Sequence, residues 1–278
     1  MPSVVKISTY NICKGKNHKI IVANVLSLAK AGSNVICLQE LHKVHNRQFI
    51  GDEIKAALGG EWGAEYFMGS GRFNSGLAVF WKKPDFNGPA EFEKISLPAK
   101  NGNHLDKKPL VTRRGVVERR ALVADFRTGD KLMRITNLHL DWWGGVERRL
   151  SQVRFVADRL KAKPPADCEI ICGDLNTIGS LSRSKLQRRR ISELLGREFV
   201  SVLPDTSHTW HFSAADPAGK RTTLGSVLRN LGRAIRQRLD YVWVNGFDVL
   251  DSRVVYVGGS DHFPITATLR ATLSRGEV

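Results

Sequence analysis

RRALVADFRTGDKLMRITNLHL, residues 119–140, is the stretch on which the fold is decided. Two runs rich in β-branched and apolar residues flank Thr128-Gly129-Asp130, and a short polar turn between such runs joins antiparallel strands. An all-parallel sheet is thereby excluded and mixed pairing expected. Outward from the hairpin, similar runs recur between turn signals: VVKISTYN (4–11), NVICLQE (34–40), SGLAVFWKK (75–83), CEIICGDLN (168–176), RLDYVWVNG (238–246), DSRVVYVG (251–258) and ITATLR (265–270). All read as strands. Ile21, Val25 and Leu28, and again Leu150, Val153, Val156 and Leu160, fall on one helical face each, which predicts two helices packed on a sheet. Strands ending in a polar cluster occur in both halves, TYN and QE early, GDLN and SDH late. The arrangement that accounts for this is an α/β fold of two sheets packed face to face, with helices outside and polar strand ends at one rim.

The chain has 278 residues, 42% of them hydrophobic, enough for one large domain over residues 1–278. Its net charge is +16, which excludes an acidic solvating tail and points to a polyanionic partner: nucleic acid, an anionic membrane surface or small polyphosphates. Two segments hold most of the excess. Residues 98–120 carry seven Lys and Arg against two carboxylates, and residues 183–238 carry twelve against four. Both read as basic inserts, loops and helices flanking a site. No run of about 18 apolar residues is present, so a spanning helix is not expected. The opening MPSVVKISTYN has none of the marks of a secretory signal, so a cytoplasmic location is expected; a monomer is the expected state. Cys13, Cys37, Cys168 and Cys172 sit in or beside apolar runs and read as core thiols.

The chemistry lies in the polar residues that end the strands: Asn11, Glu40, His139, Asp174, Asn176, Asp240, Asp261 and His262. Carboxylates converging without a cation would repel one another. Glu40, Asp174 and Asp261 offer the oxygens that a hard divalent cation needs, with Asn11 adding a neutral one. Asp174 and Asn176, two apart in extended chain, share a side. The carboxylate can orient or deprotonate a water while the amide donates to a phosphate oxygen. Asp240 can bond one ring nitrogen of His262 and raise its pKa, so that the other nitrogen faces phosphate as a donor.

Taken in order, TYN, LQE, NLHLD, GDLN, TW, LDYVWV and SDHFPI, spanning residues 9–265, resemble the endonuclease/exonuclease/phosphatase superfamily with its deoxyribonuclease-like fold. The resemblance implies a four-layer α/β sandwich of two packed mixed β-sheets flanked by helices. It also implies phosphoester hydrolysis assisted by Mg²⁺ or Mn²⁺, through in-line attack of water. By the same resemblance Asn11, Glu40 and Asp261 belong to the metal region, Asp174 acts on the nucleophile, Asn176 on phosphate, and Asp240 with His262 forms an oriented pair. Abasic-site endonucleases of the superfamily usually carry a Tyr-containing strand followed by Pro and Asn where this chain has Asn137-Leu138-His139-Leu140. His139, with RLSQ following at 149–152, is more similar to the deoxyribonuclease, sphingomyelinase, deadenylase and tyrosyl-DNA phosphodiesterase branches. It would be a phosphate contact or a general acid. Thr209-Trp210 and Arg238-Leu239-Asp240-Tyr241 resemble the DNA-repair members instead.

Trp142 and Trp143, just past the His139 strand, read either as a stacking platform or as a buried aromatic pair. Residues 223–237 space Leu224, Val227, Leu228, Leu231 and Ile235 on one helical face, with Arg229, Arg233 and Arg236 elsewhere. Packing on the core, gripping a phosphate backbone and lying on an anionic membrane are its three competing uses. Arg119, Arg229 and Arg233, with the two tryptophans, are the candidate substrate contacts. The reading that results is a metal-dependent phosphodiesterase of nucleic acid, DNA ahead of RNA. A phospholipid or sphingomyelin phosphodiesterase and a non-catalytic nucleic-acid-binding module stand as alternatives.

Overall fold

The computed structural model describes residues 4–42, 49–69, 75–86, 88, 90–98, 111–112, 115–116, 118–128, 131–142, 144–211 and 236–272. Trp143, Arg229, Arg233 and most of the expected helix over 223–237 lie outside the described residues.

Strand β1 (Val4–Asn11) leads into helix α1 (His18–Lys30) and β2 (Val35–His42); α2 (Ile50–Leu58), β3 (Trp62–Phe67), β4 (Ser75–Lys82) and β5 (Ala90–Leu97) follow. A two-residue ribbon, β6 (Val111–Thr112) with β7 (Gly115–Val116), precedes the hairpin strands β8 (Arg119–Thr128) and β9 (Lys131–His139). Next come α3 (Gly145–Lys161), β10 (Cys168–Asp174), α4 (Leu181–Leu195) and β11 (Val200–Ser201). A second ribbon pairs β12 (Trp210–His211) with β13 (Arg236–Gln237). The chain closes through β14 (Asp240–Asn245), β15 (Phe247–Val254) and β16 (Ile265–Ala271).

Two six-stranded sheets result, ordered β15-β16-β1-β2-β4-β3 and β11-β14-β10-β9-β8-β5. Each contains one parallel pair, β1 with β2 and β9 with β10, and the remaining pairs are antiparallel. The mixed sheets and the β8–β9 hairpin match the sequence expectation. Residues from both sheets, among them Ile7, Val79, Met133, Ile170 and Val242, fill the layer between them. Alternate residues face outward. Tyr10, Ile36 and Phe80 meet Ile21, Val25 and Leu28 of α1 and Ile50 and Ile54 of α2, while Leu138, Ile171 and Tyr241 meet Leu150, Val153 and Val156 of α3 and Ile191 of α4. Each such buried aliphatic side chain contributes roughly 1.5–3 kcal/mol. The four free cysteines are buried, as their apolar neighbours require.

Several elements differ from the sequence reading. Helix α2 and strands β3 and β5 were not expected, because Ile50 and Ile54 are too few to show a helical period and AEFEKISL alternates with charge in edge fashion. Strand β15 begins at Phe247, before the expected 251, because a shift in its pairing with β16 between Val249 and Asp251 breaks the alternation. Within the basic segment 183–238, α4 turns Ser184, Gln187 and Ile191 inward, so much of that segment's charge rides on a packed helix.

Gly173, one residue before the end of β10, sits at φ +127°, where an added Cβ would meet the Leu138 carbonyl oxygen of β9. Gly173→Ala is therefore expected to cost about 3 kcal/mol or more in urea unfolding, since backbone cannot yield as a side chain can. A loss under about 1 kcal/mol would show that β9 and β10 are not held this closely.

Candidate active site

One edge of the sandwich collects every polar strand end, because β1, β2, β9 and β10 run towards it while β14 and β16 start from it. In the second sheet Asp174 pairs in register with His139 on one side and Asp240 on the other, so three chemical side chains form one row. In the first sheet Asn11 pairs with Gln39, and the pairing of β2 with β4 slips between Gln39 and Leu41. The residue left over is Glu40, at φ 60°. A bulge of this kind re-aims a side chain, here from the sheet face to the rim.

Asp174 is the best-held carboxylate of the set. Its Oδ1 accepts the Asn176 backbone N–H at 2.9 Å and its Oδ2 accepts Nδ2 of Asn11, also at 2.9 Å. Burial raises its pKa to about 7; Asp240 adds to the rise, while His262 and the two amide donors oppose it. His262 Nδ1 lies 2.8 Å from Asp240 Oδ2, the same oxygen that accepts the Thr209 hydroxyl at 2.7 Å. Burial by itself would strip the proton from His262, yet Asp240, Asp174 and Asp261 outweigh it and lift the pKa to about 10. The ring is a cation at neutral pH, with Nε2 turned towards Asp174 at 3.8 Å.

His139 is the opposite case. Its Nε2 stands 3.6 Å from Asp174, 3.9 Å from Glu40 and 2.8 Å from Nη1 of Arg119. Burial, then Arg119 and His262, press its pKa well below the usual histidine value. A neutral ring that accepts from Arg119 through Nε2 carries its one proton on Nδ1.

Asn11 serves its neighbours on both sides, accepting the Cys13 backbone N–H at 3.0 Å while donating to Asp174. Asn176, at φ 50°, donates from Nδ2 to the Leu140 carbonyl at 3.0 Å, and its amide has a second hydrogen. Asp261 Oδ2 accepts the Trp210 indole N–H at 3.3 Å. Trp142 is 47% exposed past the end of β9, whereas Arg119 is buried against His139.

Supporting residues to which the sequence reading gave no role at the site are Thr209, Ser260 and Gln39. The Ser260 hydroxyl donates to the Asn11 carbonyl at 2.7 Å and accepts the His262 N–H at 3.1 Å, tying the His262 loop to β1. Gln39 Nε2 donates to Thr9 Oγ1 at 2.9 Å and Asn137 Oδ1 at 2.7 Å, a polar bridge between the sheets directly below the rim. Each adjoins a site residue in TW, SDH or LQE, and that adjacency is the only signal available before folding.

Whether these residues suit a divalent cation turns on their donors. Asp174, Asp240 and His262 offer ligand atoms all within 4.8 Å of one another, and Asp240 Oδ1 is buried with no hydrogen-bond partner among the described residues. Because His262 is protonated and bonded to Asp240, that trio serves acid–base chemistry as it stands. Glu40, bulged to the rim beside Asp174, supplies the hard oxygens, and the carboxylate set fits a cation of the magnesium type.

The model of the Endonuclease/Exonuclease/phosphatase family matches residues 8–262. No curated protein matches the chain. Among solved structures, D. rerio TDP2 complexed with a single-strand DNA product superposes with a TM-score of 0.65 at 17% identity, over 97% of this chain and 100% of that one. An endonuclease/exonuclease/phosphatase from Bacteroides vulgatus gives 0.68 at 17%, over 96% and 99%. One from Beutenbergia cavernae gives 0.67 at 18%, over 97% and 72%. At such identities these structures share the fold. With the family pattern running through nearly the whole chain and its polar positions gathered on one rim, the chain belongs to the endonuclease/exonuclease/phosphatase family, whose members are generally hydrolytic phosphoesterases that depend on a divalent metal.

Proposed function

We propose that the protein is a Mg²⁺- or Mn²⁺-dependent phosphodiesterase that cuts nucleic-acid phosphodiester bonds, with DNA as the preferred substrate and an endonucleolytic, deoxyribonuclease-like mode. The observation that carries this reading is the opposition of Asp174, raised to about 7, and a His262 cation held by Asp240 across the same row of strand ends. One group is ready to accept a proton near neutral pH and the other to donate to an anion.

In this mechanism Asp174 takes the proton of the attacking water, with Asn11 and the Asn176 N–H fixing its two oxygens. His262 directs Nε2–H at a phosphate oxygen, where negative charge grows, and Asp240 keeps the proton on Nδ1. The second amide hydrogen of Asn176 and the Arg119 guanidinium, positioned by its bond to His139, donate to the phosphate from the flanks. Glu40 would hold the cation with Asp261 close by, and the bound ion would supply Lewis-acid stabilisation of the phosphoryl group. Substrate is gripped by cations along the rim and by exposed Trp142.

Support for nucleic acid comes from the +16 charge and from the DNA product in the D. rerio TDP2 complex. The purified chain with Mg²⁺ or Mn²⁺ is expected to nick plasmid DNA and to lose that activity in chelator; DNA and RNA both left uncut would sink the reading. Headgroup release from sphingomyelin vesicles without nicking would move the assignment to a phospholipid phosphodiesterase, which an exposed tryptophan at the rim also favours. Binding of a short duplex to the Asp174→Ala variant is expected to weaken linearly on a log–log plot against salt, as displaced counterions require, with a slope near −0.9 per phosphate contacted. A flat response would remove the electrostatic part.

A further inference from the structure

On the outer face of the second sheet, between α4 and strands β11 and β14, lies a cavity of about 470 Å³. Among the described residues its wall carries four cations, Lys185, Arg188, Arg189 and Arg238, against one carboxylate, Asp205. Asp205 is a poor counterion for them. Its side chain is 64% exposed and stands 3.4 Å from Arg188 Nε and 3.8 Å from Arg238 Nη1. Arg189 reaches instead to Glu193 on the helix surface.

Arg238 is the telling residue, with a side chain only 2% exposed. Nη1 donates to the Leu203 carbonyl at 3.2 Å and the Pro204 carbonyl at 3.0 Å, and Nη2 to the Ser201 hydroxyl at 2.6 Å. These are neutral acceptors, and among the described residues the buried Nε has no hydrogen-bond partner. Arg188 Nε is likewise buried without one. Burial, with Arg188 adding repulsion, presses the Arg238 pKa below its ordinary value. Arg238 stacks on the Tyr241 ring at 4.6 Å, but among the described residues both guanidinium groups share only the exposed Asp205 as a carboxylate, and an anion with several acceptor oxygens would complete their pairing. Guanidinium forks match phosphate oxygens in geometry, and the cavity volume is in the range of small-ligand sites.

The cavity is separate from the catalytic rim although they share a strand. Successive residues of β14 face opposite sides, Asp240 towards His262 and Tyr241 into the outer core beside α4. We propose that this cavity binds a phosphate group, free or as the monoester of a nucleotide or nucleic-acid end, held by Lys185, Arg188, Arg189 and Arg238.

The test is equilibrium binding without catalysis. The full chain, in chelator so that the rim lacks its cation, is titrated calorimetrically with inorganic phosphate, with adenosine 5′-monophosphate, and with a short oligonucleotide with or without a 5′-phosphate. Saturable binding is expected for at least one phosphate-bearing probe, and the order among probes identifies the source: free phosphate, nucleotide or strand end. Affinity should survive His262→Ala and fall about tenfold or more in Lys185→Ala/Arg188→Gln, a loss of about 1.4 kcal/mol for each tenfold step. Thermal unfolding verifies that this double variant is folded, and Lys185→Ala/Arg189→Ala, confined to exposed positions, gives a second reading of the same loss. No saturable binding, or binding that withstands both double variants and disappears with His262→Ala, overturns the proposal. The outcome is independent of whether the rim cuts nucleic acid.

Discussion

Asp174→Asn is expected to leave a folded protein whose single-turnover cleavage is about 10³- to 10⁴-fold slower, with substrate still bound. The amide keeps the shape and can still accept the Asn176 N–H, so the strand end stays in place. It cannot take a proton, and its NH₂ would face the Asn11 NH₂ unless Asn11 turned over and gave up the Cys13 N–H. The parent enzyme's pH–rate profile carries the same assignment. Below pH about 7 Asp174 is protonated and cannot serve as base; above about 10 His262 loses the charge that stabilises the phosphoryl group. Activity therefore rises through the first value, holds, and falls through the second, and the acidic limb vanishes in Asp174→Asn. A variant that kept activity within tenfold of the parent, or that retained the acidic limb, would place the base elsewhere.

The second large effect is expected from Asp240→Asn, with a fall of about 10²- to 10³-fold, comparable to removing one stabilising donor from a transition state. Asp240 touches no substrate in this scheme and works as a positioning residue through His262 Nδ1. Its distinguishing readout is the alkaline limb. Asp240 is the foremost group raising His262, so in Asp240→Asn that limb should move down from about 10 towards the ordinary histidine value. A merely structural role would lower the rate and leave the limb where it was. His262→Ala should give a loss at least as large, and adding Asp240→Asn to it should cost little more, because the two act as one unit.

Much of this was legible before folding, for identifiable reasons. A strand running from apolar residues into Gly173-Asp174-Leu175-Asn176 announces a rigidly held carboxylate, and the hairpin at 119–140 announces mixed sheets. The pairing of Asp240 with His262, twenty-two residues apart, followed from what an imidazole needs, and the 2.8 Å contact is present. The bulge at Glu40 left no trace in LQE, since a register slip depends on the partner strand β4. The neutral state of His139 was equally invisible, because it comes from burial and from Arg119, twenty residues away, which the sequence reading counted among the candidate substrate contacts. Charge counting attributed the basic segment 183–238 to a flank of the site, yet Arg238 and Arg188 turn into a cavity behind β14.

The sequence by itself determined the kind of fold and the residue types available for chemistry, since hydrophobic period, turn composition and strand-end polarity are local properties. Tertiary structure alone decided their protonation states, their partners and their grouping. A pKa is set by burial and by charges from distant strands, and in the proposed mechanism the one carboxyl type would serve as base in Asp174, orienter in Asp240 and cation ligand in Glu40. Which carboxylate does which work is fixed only when six strand ends meet at one rim.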